Sequence, residues 1–329
     1  MIRYITLLTA TLLLTVSCSG GSDIETAQVA TAVPTATVAP PTATATPGPT
    51  LEPDNLENKQ ITADQHDWEY IGFEILSKHP KLNCLNKTMD IFIDVFGVWL
   101  VSTKSAPENY VLHTANVLAE FIDNDSDGIP DDVDVLKHLV EDNYVVPVWT
   151  TSERSDFWQK ARGTYCEDNI SMAASMYYDE DQWALGGIKK KGTWDTNLEE
   201  VWHVVTRGWS GTYPEAFSVA KPSLLTDAMD VARGGYFEEA PSKYPPEAWY
   251  KYYDESCEYE CQASEYIYWA LMANIGALDP NLTDKCESSA DEWHICTATE
   301  LRDKDILISQ LLNDKGFKLP TRIPDGSYQ

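Results

Sequence analysis

Apolar residues recur at three- and four-residue spacing in eight stretches of the chain: 68–77, 89–101, 108–122, 132–141, 198–207, 224–233, 258–275 and 300–312. Each stretch is read as a helix. Between 108 and 122, Val111, Ala115, Leu118, Ala119 and Ile122 share one face, the stripe that docks a helix on a core. From Tyr266 to Ile275 the chain is apolar nearly all round, which marks a helix buried on every side. Strand candidates are fewer, at 144–150, 171–178 and 183–188. No repeat and no second linker interrupts the series. The pattern predicts an α+β fold, mostly helical, built as a single globular domain with a small sheet.

The pattern lapses toward the start of the chain. Met1-Ile2-Arg3 precedes an apolar run from Ile5 to Val16, followed by Ser17-Cys18. One positive charge, a short apolar core and a small residue before a cleavage point make residues 1–17 a secretory signal peptide. The run is too short to span a bilayer comfortably. Thr15-Val16-Ser17-Cys18 resembles the bacterial lipobox, with the favoured Leu one position early at Leu14. That resemblance implies cleavage before Cys18, lipid on its sulfur and a membrane as partner. The protein is then an exported cell-envelope lipoprotein facing the extracytoplasmic side. Residues 18–57 carry Thr, Ala, Val and Pro with almost no charge from Ala27 to Pro53, an extended, partly polyproline-II stalk. The globular domain is expected over 58–329.

Charge narrows the partners. Asp and Glu number 52 against 24 Lys and Arg, a net charge of -28. Nucleic acid is excluded, because phosphate binding needs clustered cations. A polybasic grip on anionic lipid is excluded for the same reason. The balance suits a protein that meets cations such as Ca²⁺. Protein, peptide and glycan partners stay open. Setting Cys18 apart leaves Cys84, Cys166, Cys257, Cys261, Cys286 and Cys296, an even number that favours disulfides in an exported protein. Short-range pairing suggests Cys257–Cys261 and Cys286–Cys296, with Cys84–Cys166 as the long bridge. No Cys-x-x-Cys pair is present, which argues against a thiolate zinc site.

The most specific motif runs from Asp123 to Asp134. Counting Asp123 as position 1, acids stand at positions 1, 3, 5, 9 and 12 as Asp123, Asp125, Asp127, Asp131 and Asp134, with Gly128 at position 6 and Ile129 at position 7. Alternating hard oxygens, a glycine for the sharp turn and one backbone carbonyl suit Ca²⁺. The loop and its flanking helices resemble an EF-hand over 108–141, closer to the dockerin and thrombospondin type-3 variants because position 12 is Asp and not Glu. The resemblance implies a structural calcium site, since no second hand pairs with it.

A second constellation is Thr196-Asn197-Leu198-Glu199-Glu200-Val201-Trp202-His203. Thr196 with Glu199 has the spacing of a capping box. Glu199, Glu200 and His203 fall along one side of the helix that follows. The segment resembles the zincin helix, whose His-Glu-x-x-His supplies two zinc ligands and a base, with Glu199 standing where the first His would be. The resemblance implies Glu199 and His203 as Zn²⁺ ligands and Glu200 as catalytic base. It also requires a ligand on a later helix. Glu265, a carboxylate on the apolar segment Cys261–Ile275, fits that place, and its surroundings look like the Glu-aromatic-aromatic helix of some gluzincins. Tyr250, Tyr252, Tyr253, Tyr266 and Tyr268 are the phenols that could face a developing oxyanion. Asp230 and Arg233, three apart, are read as an ion pair, and Asp227 as a helix cap. The aromatic run 244–254 reads as loop packing.

No Gly-x-Ser-x-Gly elbow, phosphate loop or Rossmann glycine pattern is present. From the calcium loop to the Cys-rich helix, the chain also looks like a family of secreted proteins without assigned activity. Two readings follow. One is a calcium-binding cell-surface lipoprotein with a second metal site and a binding or scaffolding role. The other is a zincin-like metal-dependent hydrolase, a peptidase or amidohydrolase.

Overall fold

The computed structural model describes residues 73–329. The leader, Cys18, the stalk and residues up to 72 lie outside the described residues. Of the helix expected over 68–77, only the last part is described, and it is a strand, β1 (Glu74–Leu76).

The apolar run at 89–101 also departs from the helical expectation. It folds into β2 (Ile91–Val95) and β3 (Val98–Ser102), an antiparallel hairpin. The reason is local. Ile91, Ile93, Val95, Val98 and Val101 are β-branched and stiff at χ1. Phe96 and Gly97 between them both take positive φ, 54° and 93°, the conformation of a two-residue turn matched to strand twist. The Asp94 carboxylate locks that turn by accepting from the Gly97 N–H at 2.6 Å. Both faces of the hairpin are covered, so no polar alternation betrays its period.

After β3 come α1 (Glu108–Ile122) and α2 (Val133–Glu141), then β4 (Val145–Trp149). α3 (Thr151–Ala161) and α4 (Tyr165–Asn169) lead to β5 (Met176–Tyr177). The strands form one mixed sheet in the order β1-β2-β3-β4-β5. The first three run antiparallel as a meander, and β3, β4 and β5 are parallel through helical crossovers. The strand expected over 171–178 is thus reduced to two residues, and 183–188 is a turn-rich loop.

The remaining helices are α5 (Asn197–Thr212), α6 (Pro214–Phe217), α7 (Leu224–Ala232), α8 (Tyr259–Asn274), α9 (Lys285–Ser288), α10 (Ala298–Lys304) and α11 (Ile306–Leu312). The helix expected over 300–312 breaks at Asp305, which caps α11 and accepts from Trp249 Nε1 and the Tyr266 hydroxyl, each at 2.7 Å.

The sheet divides the apolar interior in two. Ile91, Ile93, Val95, Val98 and Leu100 face the large helical core with α1, α5 and α8. Phe92, Val101, Val145 and Trp149 face a smaller core under α3 and α4. The period-two alternation absent from polarity is therefore present in packing. α8 lies at the centre of the large core, with Tyr266 to Ala273 buried without a break. α5 packs on α1, α2, α6 and α8. Gly208 lets α2 approach closely: a Cβ there would stand 2.8 Å from the side chains of Leu139 and Val135.

All three expected disulfides are present: Cys84–Cys166, Cys257–Cys261 and Cys286–Cys296. Asp230 pairs with Arg233 at 3.0 Å, as the spacing suggests. Asp227 is not the cap of α7. Ser223 and Thr226 form that capping box, and Asp227 pairs with Lys221 at 3.1 Å.

Candidate metal centre and catalytic cleft

α5 begins at a buried polar junction. Asp195 accepts from the Asn197 main-chain N–H at 3.2 Å and from its side-chain amide at 2.7 Å. Its other oxygen meets His113 Nε2 on α1. Thr114 donates to Asn197 Oδ1 at 2.6 Å. The expected Thr196–Glu199 capping box does not form: Thr196 has helical φ/ψ and makes no side-chain cap. Its hydroxyl accepts from the Gln182 N–H at 3.2 Å instead. Asp195 thus does the capping, and Glu199 is left free to turn inward.

Glu199 and His203 then stand one helical turn apart on α5, facing Glu265 on α8. His203 Nε2 lies 3.3 Å from Glu265 Oε1, with both side chains almost covered, at 11% and 12% exposure. One ligand atom from each of Glu199, His203 and Glu265 falls within 4.8 Å of the other two. The close His203–Glu265 approach is not aligned as a hydrogen bond, and neither ring nitrogen has a hydrogen-bond partner.

The electrostatics favour a positive charge among these carboxylates, held by the His203 ring or by a metal that displaces its proton. Burial lifts Glu199, and the facing Glu265 carboxylate lifts it further. Burial opposes a charged His203 ring, yet the Glu265, Glu199 and Glu200 carboxylates outweigh it and raise the imidazole to about 9. Buried carboxylates this close need a positive partner. Two hard oxygens and one imidazole, whose proton a metal would displace, form a donor set acceptable to a divalent metal. These residues fit such an ion.

Glu200 faces another way. It lines a cleft of about 190 Å³ with Trp149, Arg154, Trp158, Met172, Ala173, Ala174, Ser175 and Tyr177. The Ser175 N–H reaches its carboxylate at 3.4 Å. Burial raises Glu200 to about 7, against the pull of His203.

Hydrogen bonding sorts the five candidate phenols. Tyr250 donates to Gln262 O and Tyr266 to Asp305, each at 2.7 Å. Tyr253 is half exposed and packs edge-on against Tyr244. Tyr268, by contrast, has a buried hydroxyl without a hydrogen-bond partner. Burial and then Glu199 and Glu265 push it well above its ordinary value. Tyr252 is half-buried and raised by burial, then by Glu265. Tyr252 and Tyr268 are the phenols left to the cluster. The rest of the 244–254 segment is packing, as the sequence suggests.

The Asp123–Asp134 loop joins α1 and α2 in the expected helix–loop–helix order. Ligand atoms of Asp123, Asp125 and Asp131 lie within 4.8 Å of one another. Asp127 and Asp134 fall outside that group. Asp127 Oδ1 accepts from the Ile129 N–H at 2.8 Å, and Asp134 sits in the first turn of α2. Asp123 is fully buried and accepts from the Gly128 N–H at 2.8 Å. Burial raises Asp131 against the Asn124 N–H, and Asp125, Asp123 and Asp127 raise it further. This cluster, too, has acids placed to hold a metal ion.

The Arg154 cleft and the Asp195–His113 junction had no signal in the sequence. Their residues come from segments far apart in the chain and share no motif. No family model, no curated protein and no solved structure matches the chain.

Proposed function

We propose that the protein is a zincin-like, metal-dependent hydrolase of amide bonds. Glu199, His203 and Glu265 are the metal ligands and Glu200 is the general base. The observation behind this reading is the meeting of His203 and Glu265 at 3.3 Å from two helices, with Glu199 in the same group. Glu200, the next residue on α5, is close enough to raise His203 and also lines the cleft.

A bound Zn²⁺ would supply Lewis acidity toward water and a carbonyl oxygen. His203 would offer a ring nitrogen in its neutral form, with one carboxylate oxygen each from Glu199 and Glu265. Glu200 takes a proton from the attacking water and delivers it to the leaving amine. Tyr268 and Tyr252 stand as donors beside the carboxylates, where a phenol O–H stabilises negative charge.

The Asp123 loop would hold Ca²⁺ in a structural role. Asp123, Asp125 and Asp131 form its base, and Asp127, Asp134 and the Ile129 carbonyl are the further oxygens of the motif. An ion bound only to the folded state stabilises it by about 2.7 kcal/mol at a hundred times its dissociation constant. The three disulfides are compatible with export. A lipid on Cys18 would anchor the domain to the extracytoplasmic side of a membrane.

Metal analysis of purified protein after calcium and zinc loading tests this reading. One equivalent of each metal is expected. His203→Ala should lose zinc and keep calcium. Glu200→Gln should keep both metals and lose hydrolysis of a peptide library. Calcium alone, even after zinc addition, overturns the hydrolase and leaves a calcium-stabilised binding or scaffolding protein.

A further inference from the structure

The cleft beside Glu200 brings together an unpaired guanidinium and an unpaired stretch of main chain. Arg154 is its one cationic side chain. Its guanidinium makes no ion pair or hydrogen bond among the described residues, in a chain where acids outnumber bases 52 to 24. The nearest acid in sequence, Glu153, is already committed. It accepts from the Thr150 N–H at 2.8 Å, from the Tyr178 hydroxyl at 3.2 Å and from Ser105. Asp181, just beyond the cleft's Tyr177, likewise accepts from the Tyr177 N–H at 2.5 Å.

Trp149 forms part of the wall. It is fully buried, and its indole N–H is buried with it. Trp149 therefore closes the cleft with its ring, beside Trp158 and Tyr177. The main chain supplies the unpaired stretch. Ala173 and Ala174 make no backbone hydrogen bond among the described residues, just ahead of the edge strand β5. Trp158 and Tyr177 give flat apolar surface beside these groups.

We infer that this cleft is a subsite for a carboxylate-bearing extended peptide. The carboxylate sits on the Arg154 guanidinium, and the peptide main chain runs along Ala173–Ala174. A guanidinium pairs with a carboxylate through two parallel N–H···O bonds. The cleft volume of about 190 Å³ suits one or two residues rather than a folded partner. Glu200 lines the same cleft, so the subsite would orient a peptide bond toward the proposed base. As a substrate preference, the inference rests on the hydrolase reading; as a binding site, it stands by itself.

The test measures peptide binding by tryptophan fluorescence and, separately, peptide cleavage by mass spectrometry. The probes are N-acetyl-Ala-Glu-Ala-amide, its Gln counterpart with the same amide end, and the Gln peptide with a free C-terminal carboxylate. The proteins are the wild type, Arg154→Gln and Arg154→Lys. Arg154 is exposed and unpaired, so neither variant should disturb the fold. A carboxylate peptide is expected to bind the wild type about tenfold more tightly than the neutral one, a difference of about 1.4 kcal/mol. Arg154→Gln should erase the gap, and Arg154→Lys should restore part of it. Preference for the Glu probe assigns a side-chain carboxylate, and preference for the free-acid probe assigns a peptide C-terminus. Equal binding of all three peptides, or a gap that survives Arg154→Gln, overturns the subsite. Arg154-dependent binding without cleavage of any peptide keeps the subsite and counts against the hydrolase. Cleavage that ignores Arg154 keeps the hydrolase and removes the substrate preference, and binding that also ignores Arg154 removes the subsite.

Discussion

The Tyr328 hydroxyl donates to Asp123 Oδ2 at 2.5 Å, joining two residues 205 positions apart in the chain. It is one of a set. The N–H groups of Asp325, Gly326 and Ser327 converge on the Glu120 carboxylate at 2.8, 2.8 and 3.0 Å. Those of Thr321 and Arg322 share Asn124 Oδ1, each at 2.8 Å. Segment 321–328 is therefore strapped across the end of α1 and the head of the acidic loop. Hydrogen bonds to an ionised group contribute about 1.5–3 kcal/mol each. Tyr328→Phe keeps the ring stack on Phe73 and removes only the donor. Urea unfolding should show a loss of about 2 kcal/mol. The loss should persist in saturating calcium, because Oδ2 loses a donor whether or not an ion is bound.

His79 contributes a pH dependence of defined sign. The side chain is 4% exposed, and Nδ1 accepts from the main-chain N–H groups of Lys81 and Leu82 at 3.1 and 2.9 Å. Protonation at Nδ1 would break both bonds. Burial first, and then the charge of Lys81, lowers the imidazole from 6.5 to about 4. Above 6.5 the folded and unfolded chains both hold His79 neutral, and the stabilisation is complete. As pH falls from 6.5 toward 4 the unfolded chain takes up a proton that the folded one refuses, and stability drops. The full effect is on the order of 2–3 kcal/mol. His79→Asn keeps an acceptor oxygen but cannot titrate. Its unfolding free energy should therefore fall less steeply than that of the wild type over this window. Parallel slopes for the two proteins would show that His79 has no part in it.

The contrast between what the sequence disclosed and what it concealed has a physical pattern. Glu199 and His203 were legible because helical spacing of four puts them on one side. Glu265 was legible because a lone carboxylate on an apolar helix needs a partner. The three cysteine pairs followed from proximity and remainder. The hairpin at Ile91–Ser102 was misread as helix because a run buried on both faces has no polar period. Asp195–His113, Arg154 and the 321–328 strap were invisible because each joins segments that only tertiary folding brings together. Thr196 misled in another way. Its spacing to Glu199 fits a capping box, but Asp195 one residue earlier supplies the cap, and the Glu199 carboxylate serves the cluster.

The disulfides should differ in worth according to the chain they close. Cys84–Cys166 spans 82 residues, Cys286–Cys296 spans 10 and Cys257–Cys261 spans 4. Loop entropy alone gives about 4.5, 2.7 and 2 kcal/mol at 25 °C. Cys84–Cys166 also joins the loop before β2 to α4 beneath the smaller core. Paired Cys→Ala variants should lose stability in that order, measured by chemical denaturation in non-reducing buffer. A Cys257/Cys261 variant less stable than the Cys84/Cys166 variant would refute the loop-entropy ranking.

Asp195 links the fold to the proposed metal centre. It caps α5 one turn before Glu199 and anchors that helix to His113 on α1. A Cβ at Gly326 would stand 2.1 Å from His113 Nδ1, so the strap segment closes over this pair. Asp195→Asn preserves shape but removes the charge that His113 and the α5 N-terminus share. Removing one partner of a buried hydrogen bond costs about 1–3 kcal/mol. The loss should be about 2 kcal/mol in thermal unfolding. If the junction also aims α5, zinc binding at Glu199, His203 and Glu265 should weaken in Asp195→Asn by more than in a variant similarly destabilised elsewhere, such as Leu85→Ala in the smaller core. Equal zinc affinity in the two would limit Asp195 to a role in stability alone.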